Sequence, residues 1–258
     1  MPGDPPRPVG SPMVATLTIF FPAYNEEAII GRTVASATEL GRTLTQAGDV
    51  DDYEILVVDD ASTDRTPALV DQLAIADPHV RVVHHDRNRG LGGAIRTGLE
   101  QAKGDVVLYT DADLPFDLLE GVKALRLMRA QDAGVVAAYR LDRTGEGLRR
   151  YVYSHLYNWL VRAVVGVRVR DVNFAGKLIR RDVIDHVQLH SEGSFIDVEL
   201  LAKADRLGYR TIQFGVDYFP RSRGVSTLSS RAVIANILRE MWVLLPEIRA
   251  LGRRSEIH

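Results

Sequence analysis

The chain has 258 residues, 46% of them hydrophobic, which is enough to bury one large α/β core. A formal net charge of −2 argues against a protein that coats nucleic acid, and with no cysteine both disulfides and thiolate metal sites are excluded. No stretch holds the roughly 18 to 20 apolar residues needed to span a bilayer, so any membrane role is expected to be peripheral.

Residues 1–13 are rich in Pro and Gly and lack an apolar run, so they are expected to form a disordered arm and not a signal peptide. From residue 14 to about 140, short β-branched runs alternate with amphipathic segments, the pattern of βαβ units around a parallel sheet. Strands are expected at Ala15 to Phe21, Tyr53 to Val58, Val80 to His84, Val106 to Thr110 and Gly134 to Tyr139. Helices are expected near Glu26 to Gln46, Asp64 to Ala76, Leu91 to Lys103 and Phe116 to Ala130, with Asp64 as an N-cap and Pro67 in the first turn.

The character changes from about Leu148. A helix with aromatic residues, Tyr151 to Val165, precedes a strand at Phe174 to Ile179, a helix near Phe195 to Leu207 and a strand at Tyr209 to Val216. Val233, Ile234, Ile237, Leu238, Met241, Trp242, Leu245 and Ile248 then recur at helical spacing within Ser229 to Leu251. One domain over residues 14–228, followed by a C-terminal amphipathic helix and tail over 229–258, is the expected organisation.

Asp111-Ala112-Asp113 closes the apolar run Val106 to Tyr109 and so places two carboxylates at the end of a buried strand. Carboxylates one residue apart in extended backbone project to the same side, and their hard oxygens suit Mg²⁺ or Mn²⁺ carrying a substrate phosphate. By itself the triplet is weak evidence, since Asp-x-Asp is more often a solvated turn. In open α/β sheets, however, ligands sit beyond the carboxyl ends of the strands, and Pro22 to Glu26 and Asp59-Asp60 fall there too. A nucleoside could use the aromatic face, the free backbone and the carboxylate of the first of these. Ser62 and Asp64 read as turn and capping residues.

Taken together with Pro22-Ala23-Tyr24-Asn25-Glu26, Val57-Val58-Asp59-Asp60-Ala61-Ser62-Thr63-Asp64, Asn88 to Ala94, Asp171, Lys177-Leu178 and Arg221 followed by Gly224 and Ser226, the chain resembles a family 2 glycosyltransferase of the GT-A fold. Within that family it is most similar to the dolichol- or polyprenyl-phosphate mannose synthases. The resemblance implies transfer of a hexose, mannose from GDP-mannose by preference and glucose from UDP-glucose as the second choice, onto a polyprenyl phosphate with inversion. It implies that Pro22, Tyr24, Glu26 and Asp60 hold the nucleoside, that Asp111 touches ribose or metal, and that Asp113 is the principal metal ligand. Lys177 and Arg221 are expected beside the diphosphate, and Arg140, Arg150, Ser154 and Arg223 at the acceptor phosphate.

Three positions depart from the mannose synthase pattern: Pro115 where that family has Gln as a further metal ligand, which leaves an extra water or Asp117; Phe174-Ala175-Gly176 before Lys177; and Thr227 after the Gly-x-Ser. A phosphate acceptor is already largely dianionic at neutral pH and needs no general base, only cations to hold it. A hydroxyl acceptor, as in polysaccharide or secondary-metabolite assembly, would need a carboxylate base, for which Asp197 or Glu199 is the best choice.

Gly90-Leu91-Gly92-Gly93-Ala94 with Gly98 imitates a dinucleotide fingerprint and suggests an NAD-dependent dehydrogenase, but it follows the third strand instead of the first. His84, His85, His155, His186 and His190 lack metal-binding spacing and are assigned structural or surface roles. The aromatic and C-terminal helices, with Trp159, Trp242, Arg239, Arg249, Arg253 and Arg254, suit either a membrane interface or packing on the core or in a homodimer. The expected location is cytoplasmic, on the cytoplasmic membrane face.

Overall fold

A computed structural model describes residues 16–142, 148–219 and 231–251, with side chains throughout except those of 148–155 and 231–235. The expected N-terminal arm, Arg221, Arg223 and Thr227 lie outside the described residues, as do the side chains of Arg150 and Ser154.

In chain order the elements are β1 (Thr16–Ala23), α1 (Ile30–Gln46), β2 (Asp52–Asp59), α2 (Thr66–Ala76), β3 (Val80–His84), α3 (Gly90–Gln101), β4 (Val106–Tyr109), α4 (Glu120–Ala130), β5 (Val135–Arg140), α5 (Leu148–Val164), β6 (Lys177–Arg180), α6 (Arg181–His186), α7 (Ile196–Arg206), β7 (Thr211–Val216) and α8 (Arg231–Ala250). The strands form one sheet in the order β3-β2-β1-β4-β6-β5-β7, parallel except for β6, which runs against both its neighbours. The period of two in the strands decides the two cores. Phe20, Leu56, Val58, Val107 and Tyr109 face α3, α5, α7 and α8. Ile19, Phe21, Ile55, Val57 and Leu108 face α1, α2 and α4.

Three expected boundaries shift, each for a local reason. α1 starts at Ile30 and not near Glu26, because the carbonyl of Glu26 first closes a turn by accepting from Ile29 and Ile30 N–H. α2 starts at Thr66, and Asp64 sits ahead of the cap, accepting the Thr66 N–H at 2.8 Å. α4 starts at Glu120 because Asp117 caps a preceding turn, accepting from Leu119 N–H at 3.0 Å. The strand expected from Phe174 begins at Lys177, and the short helix α6 was not anticipated, its six residues being too few for a periodic signal.

β1 runs three residues beyond its last pairing with β4, from Phe20 opposite Tyr109 to Ala23 opposite Asp59 of β2. On the β4 side that extension is a free edge, where Pro22, which has no N–H to offer, is tolerated. The splay between β1 and β4 opens the carboxyl edge of the sheet. Lys177 at the start of antiparallel β6 pairs with Tyr109 and so reaches this same edge.

Candidate active site

Two loops at the opened edge lock into each other. Asn25 N–H donates to Ser62 Oγ at 2.9 Å, Glu26 N–H to Thr66 Oγ1 at 2.8 Å and Glu27 N–H to Asp64 Oδ2 at 3.2 Å. In return, Thr63 N–H donates to Asn25 Oδ1 at 2.8 Å and Arg65 N–H to Glu27 Oε2 at 2.9 Å. Burial raises the Asp64 pKa, yet the Thr66 and Glu27 donors outweigh it and hold the carboxyl below its usual value. Tyr24 stands on this frame at 48% exposure, with Pro22 and Glu26 half-buried on either side.

The third loop is the Asp111–Leu114 turn, closed by Leu114 N–H donating to Asp111 O at 3.3 Å. Ala112 is buried, and its carbonyl accepts from Thr33 Oγ1 of α1 at 2.5 Å. That leaves Asp111 and Asp113 half-buried on either side of a pinned residue. Asn25, Ala61 and Leu114 all have left-handed φ of 56°, 59° and 53°, one in each loop after β1, β2 and β4. For an alanine or leucine this costs about 1–2 kcal/mol. Strain of this kind gathers where the surroundings hold a loop for use.

Among the described residues no group of three His, Cys, Asp or Glu side chains could enclose a cation alone. The paired hard oxygens of Asp111 and Asp113 are instead the share a protein contributes to a Mg²⁺ or Mn²⁺ that completes its shell with phosphates. The residues present fit such an ion. Asp117, the expected substitute ligand for the missing Gln, is exposed and spends Oδ1 on its own turn. Phe219 N–H donates to Pro115 O at 2.9 Å, so the described segment that follows β7 ends beside the turn.

Beneath this surface lie residues expected to touch ligands. Lys177 is 1% exposed and donates to Phe174 O at 2.9 Å, with Asp197 Oδ1 at 2.7 Å. Burial pushes the Asp197 carboxyl up, and Lys177 pulls it down only in part. Both are corrected here from ligand-touching roles to a buried pair under the floor. Glu199 is also corrected: it is fully enclosed, accepts from His190 and Ser191 N–H and pairs with Lys203 at 2.8 Å, so it cannot serve as a base. Arg140 points its Nε and Nη2 at Asp171, 2.7 and 2.9 Å away, and lies over the Phe174 and Tyr218 rings. Its fork is turned to Asp171, which braces the side chain. Tyr109, stacked on Phe20, has its hydroxyl pushed well above the usual range by burial, then by Asp197 and Asp111.

The glycine-rich segment has packing reasons. Gly92 N–H donates to Glu192 O at 3.0 Å, and a Cβ there would lie 2.5 Å from the Glu192 carbonyl carbon. At Gly98 a Cβ would strike the Phe20 ring at 2.1 Å. Glu240 of α8 holds the facing loop by accepting from Ser191 Oγ and from Glu192 and Gly193 N–H. Thr33 and Glu240 carry no local sequence signal. His84 and His85 did: a His pair ending one strand beside an Asp pair ending its neighbour is a readable pattern, and the structure joins them. His84 Nδ1 meets Asp59 Oδ2 at 2.9 Å and His85 Nδ1 meets Asp60 Oδ1 at 2.7 Å.

Comparison with known proteins agrees with this geometry. The chain is 33% identical over 92% of its length to the glycosyltransferase AglD of Haloferax volcanii, of which it spans 39%. It is 30% identical over 90% of its length to an undecaprenyl-phosphate 4-deoxy-4-formamido-L-arabinose transferase of Pectobacterium carotovorum, spanning 68% of that protein. Among solved structures it superposes on glucosyl-3-phosphoglycerate synthase of Mycobacterium tuberculosis in complex with Mn²⁺, UDP and phosphoglyceric acid, with a TM-score of 0.63 and 25% identity, covering 87% of this chain and 78% of that one. The mostly parallel sheet flanked by helices is thus the GT-A fold. The family model for glycosyl transferase family 2 matches residues 18–188, the stretch that carries all three edge loops, and the chain belongs to that family.

Proposed function

We propose that the chain transfers a hexose from a nucleotide sugar to a polyprenyl phosphate in one cation-dependent displacement, with inversion at the anomeric carbon. The observation that carries this reading is the pinned Asp111–Asp113 turn sharing an opened sheet edge with Tyr24 and Asp60. Two similar proteins add support: one is named for transfer involving undecaprenyl phosphate, and another holds Mn²⁺ and UDP. When bound, the cation supplies Lewis-acid stabilisation of the diphosphate as it leaves.

Asp111 and Asp113 would hold that ion, and Thr33 keeps their turn closed. Pro22, Tyr24, Glu26 and Asp60 would take the nucleoside, with Arg221 beside the diphosphate. The acceptor phosphate, whose second pKa is about 6, arrives as its own nucleophile. Arg150, Ser154 and Arg223, together with Arg140, would orient it. The enclosure of Asp197 and Glu199 favours this acceptor over a hydroxyl, which requires a reachable base. GDP-mannose is the preferred donor and UDP-glucose the second.

A lipid acceptor calls for a surface that meets lipid. α5 carries no acidic residue, and its described outward face shows Leu156, Trp159 and Arg162. On α8 the exposed residues include Arg239, Trp242, Val243, Glu247 and Arg249; Glu240 is bound to the loop after Gln188, and Glu247 pairs with Lys203 while its side chain stays 44% exposed. Arg249 donates to Val164 O at 3.2 Å, so the helices are neighbours. Among the described residues no helix is long and apolar enough to cross a membrane. Tryptophan with arginine, beside a helix α5 that has no acid, suits anionic headgroups, here on the cytoplasmic side.

Isothermal titration of GDP and UDP tests the site. Binding that requires Mn²⁺ or Mg²⁺ in the wild type and is lost, with either cation present, in a folded Asp113→Ala variant is expected. Equal affinity with and without cation in the wild type would remove the metal from the proposal.

A further inference from the structure

The carboxyl edge holds two parallel relays. The pleat sends successive residues to opposite faces, so Asp59, His84 and Asp71 of α2 line up on one side of the sheet. On the other side Asp60, His85 and Thr97 of α3 do the same, and here the relay is sealed: the His85 and Asp60 side chains are 2% and 5% exposed. Asp59 spends both oxygens inside the protein, Oδ1 on Ser62 N–H and Oδ2 on His84. Asp60 does not. Its Oδ1 collects both His85 Nδ1 at 2.7 Å and Arg89 N–H at 2.8 Å, and among the described residues no hydrogen bond reaches Oδ2.

A carboxylate only accepts, so Nδ1 of His85 carries the hydrogen. Its Nε2 meets Thr97 Oγ1 at 2.9 Å, which fixes the ring plane from behind. Gathering both donors on one oxygen locks the carboxylate rotamer and leaves Oδ2 for another donor. The segment from His85 to Arg89 closes the arrangement, with Asn88 Nδ2 donating to Asp60 O at 3.3 Å.

We infer that His85 is a positioning residue for donor recognition: braced by Thr97, it holds Asp60 so that Oδ2 faces an N–H of the nucleotide base. This rests on the reading of Asp60 as a nucleoside ligand. His85 touches no reacting atom, and its effect passes wholly through Asp60. Removing it frees Asp60 to rotate, which weakens recognition of the base but not of the diphosphate.

The test is isothermal titration of Mn²⁺-loaded wild type, His85→Leu, His85→Asn, Thr97→Val and Asp60→Asn with GDP, UDP and inorganic diphosphate. A hydrogen bond to a charged group is lost in His85→Leu, so nucleotide affinity is expected to fall about tenfold to a hundredfold with diphosphate affinity unchanged. His85→Asn, which keeps a donor near the Nδ1 position, is expected to recover most of it. A merely structural histidine would weaken nucleotide and diphosphate alike, or neither, and either outcome overturns the inference. Should the leucine substitution fail to fold, Thr97→Val decides: weaker nucleotide with unchanged diphosphate supports the positioning role, and unchanged nucleotide overturns it. Unaltered nucleotide binding in Asp60→Asn would instead show that the nucleoside reading itself is at fault.

Discussion

Lys177 at the start of β6 and Asp197 in the first turn of α7 meet 2.7 Å apart, both essentially sealed from solvent. That Asp197 is raised although a lysine touches it shows desolvation outweighing the attraction between them. Such a pair holds geometry more than it adds stability. Asp197→Ala is therefore expected to cost about 3–5 kcal/mol by stranding a buried ammonium. Lys177→Met combined with Asp197→Leu is expected to recover most of that loss in urea unfolding.

His84 is the titrating partner of the outer relay. Burial lowers its pKa, but hydrogen bonds from Asp59 and Asp71 more than offset this and hold it above 6.5. A histidine raised in the folded state stabilises fully below 6.5, and the contribution is lost as pH rises through the raised folded value. The unfolding free energy of wild type relative to His84→Gln is thus expected to fall as pH rises above 6.5. A difference that stays flat or grows over this range would show that the relay does not stabilise through the charged ring.

Gly92 gives a steric prediction. Both atoms nearest to an added Cβ, the Glu192 carbonyl carbon and Ser191 O at 2.5 Å, are backbone and cannot swing away. Gly92→Ala is expected to destabilise by about 1–3 kcal/mol through overpacking, read as a lower urea midpoint.

Much of the fold was legible because the signals are local. Val106 to Tyr109 is a continuous apolar run ending at paired acids, and it forms β4 with Asp111 and Asp113 beyond its end. Helix starts at Glu26 and Phe116 were placed about one turn early because capped turns precede both helices and share their composition. The reversed direction of β6 left no trace, since Lys177 to Arg180 reads alike in either sense. Lys177 reads as a diphosphate ligand from the family pattern, and Asp197 and Glu199 read as bases from their carboxylates alone. Their pairing is tertiary, set by α7 docking on the sheet, and no spacing in the sequence announces it. The His84-His85 and Asp59-Asp60 pairs were both visible, but their register depends on β2 and β3 lying side by side.

Arg150 lies on α5, and the proposed function gives it the acceptor phosphate. Arg150→Ala is expected to raise the KM for polyprenyl phosphate at least about tenfold, the scale of one charge-assisted contact, with little change in the KM for the donor. Equal effects on both constants would place this residue elsewhere.

The central claim is tested most directly by following label from radioactive GDP-mannose and UDP-glucose into a short polyprenyl phosphate with Mn²⁺ or Mg²⁺ present. The account predicts label in the organic phase from one donor, dependent on the cation and abolished by Asp113→Ala in a protein that remains folded. Donor hydrolysis without labelled lipid, or full turnover by Asp113→Ala, would contradict it.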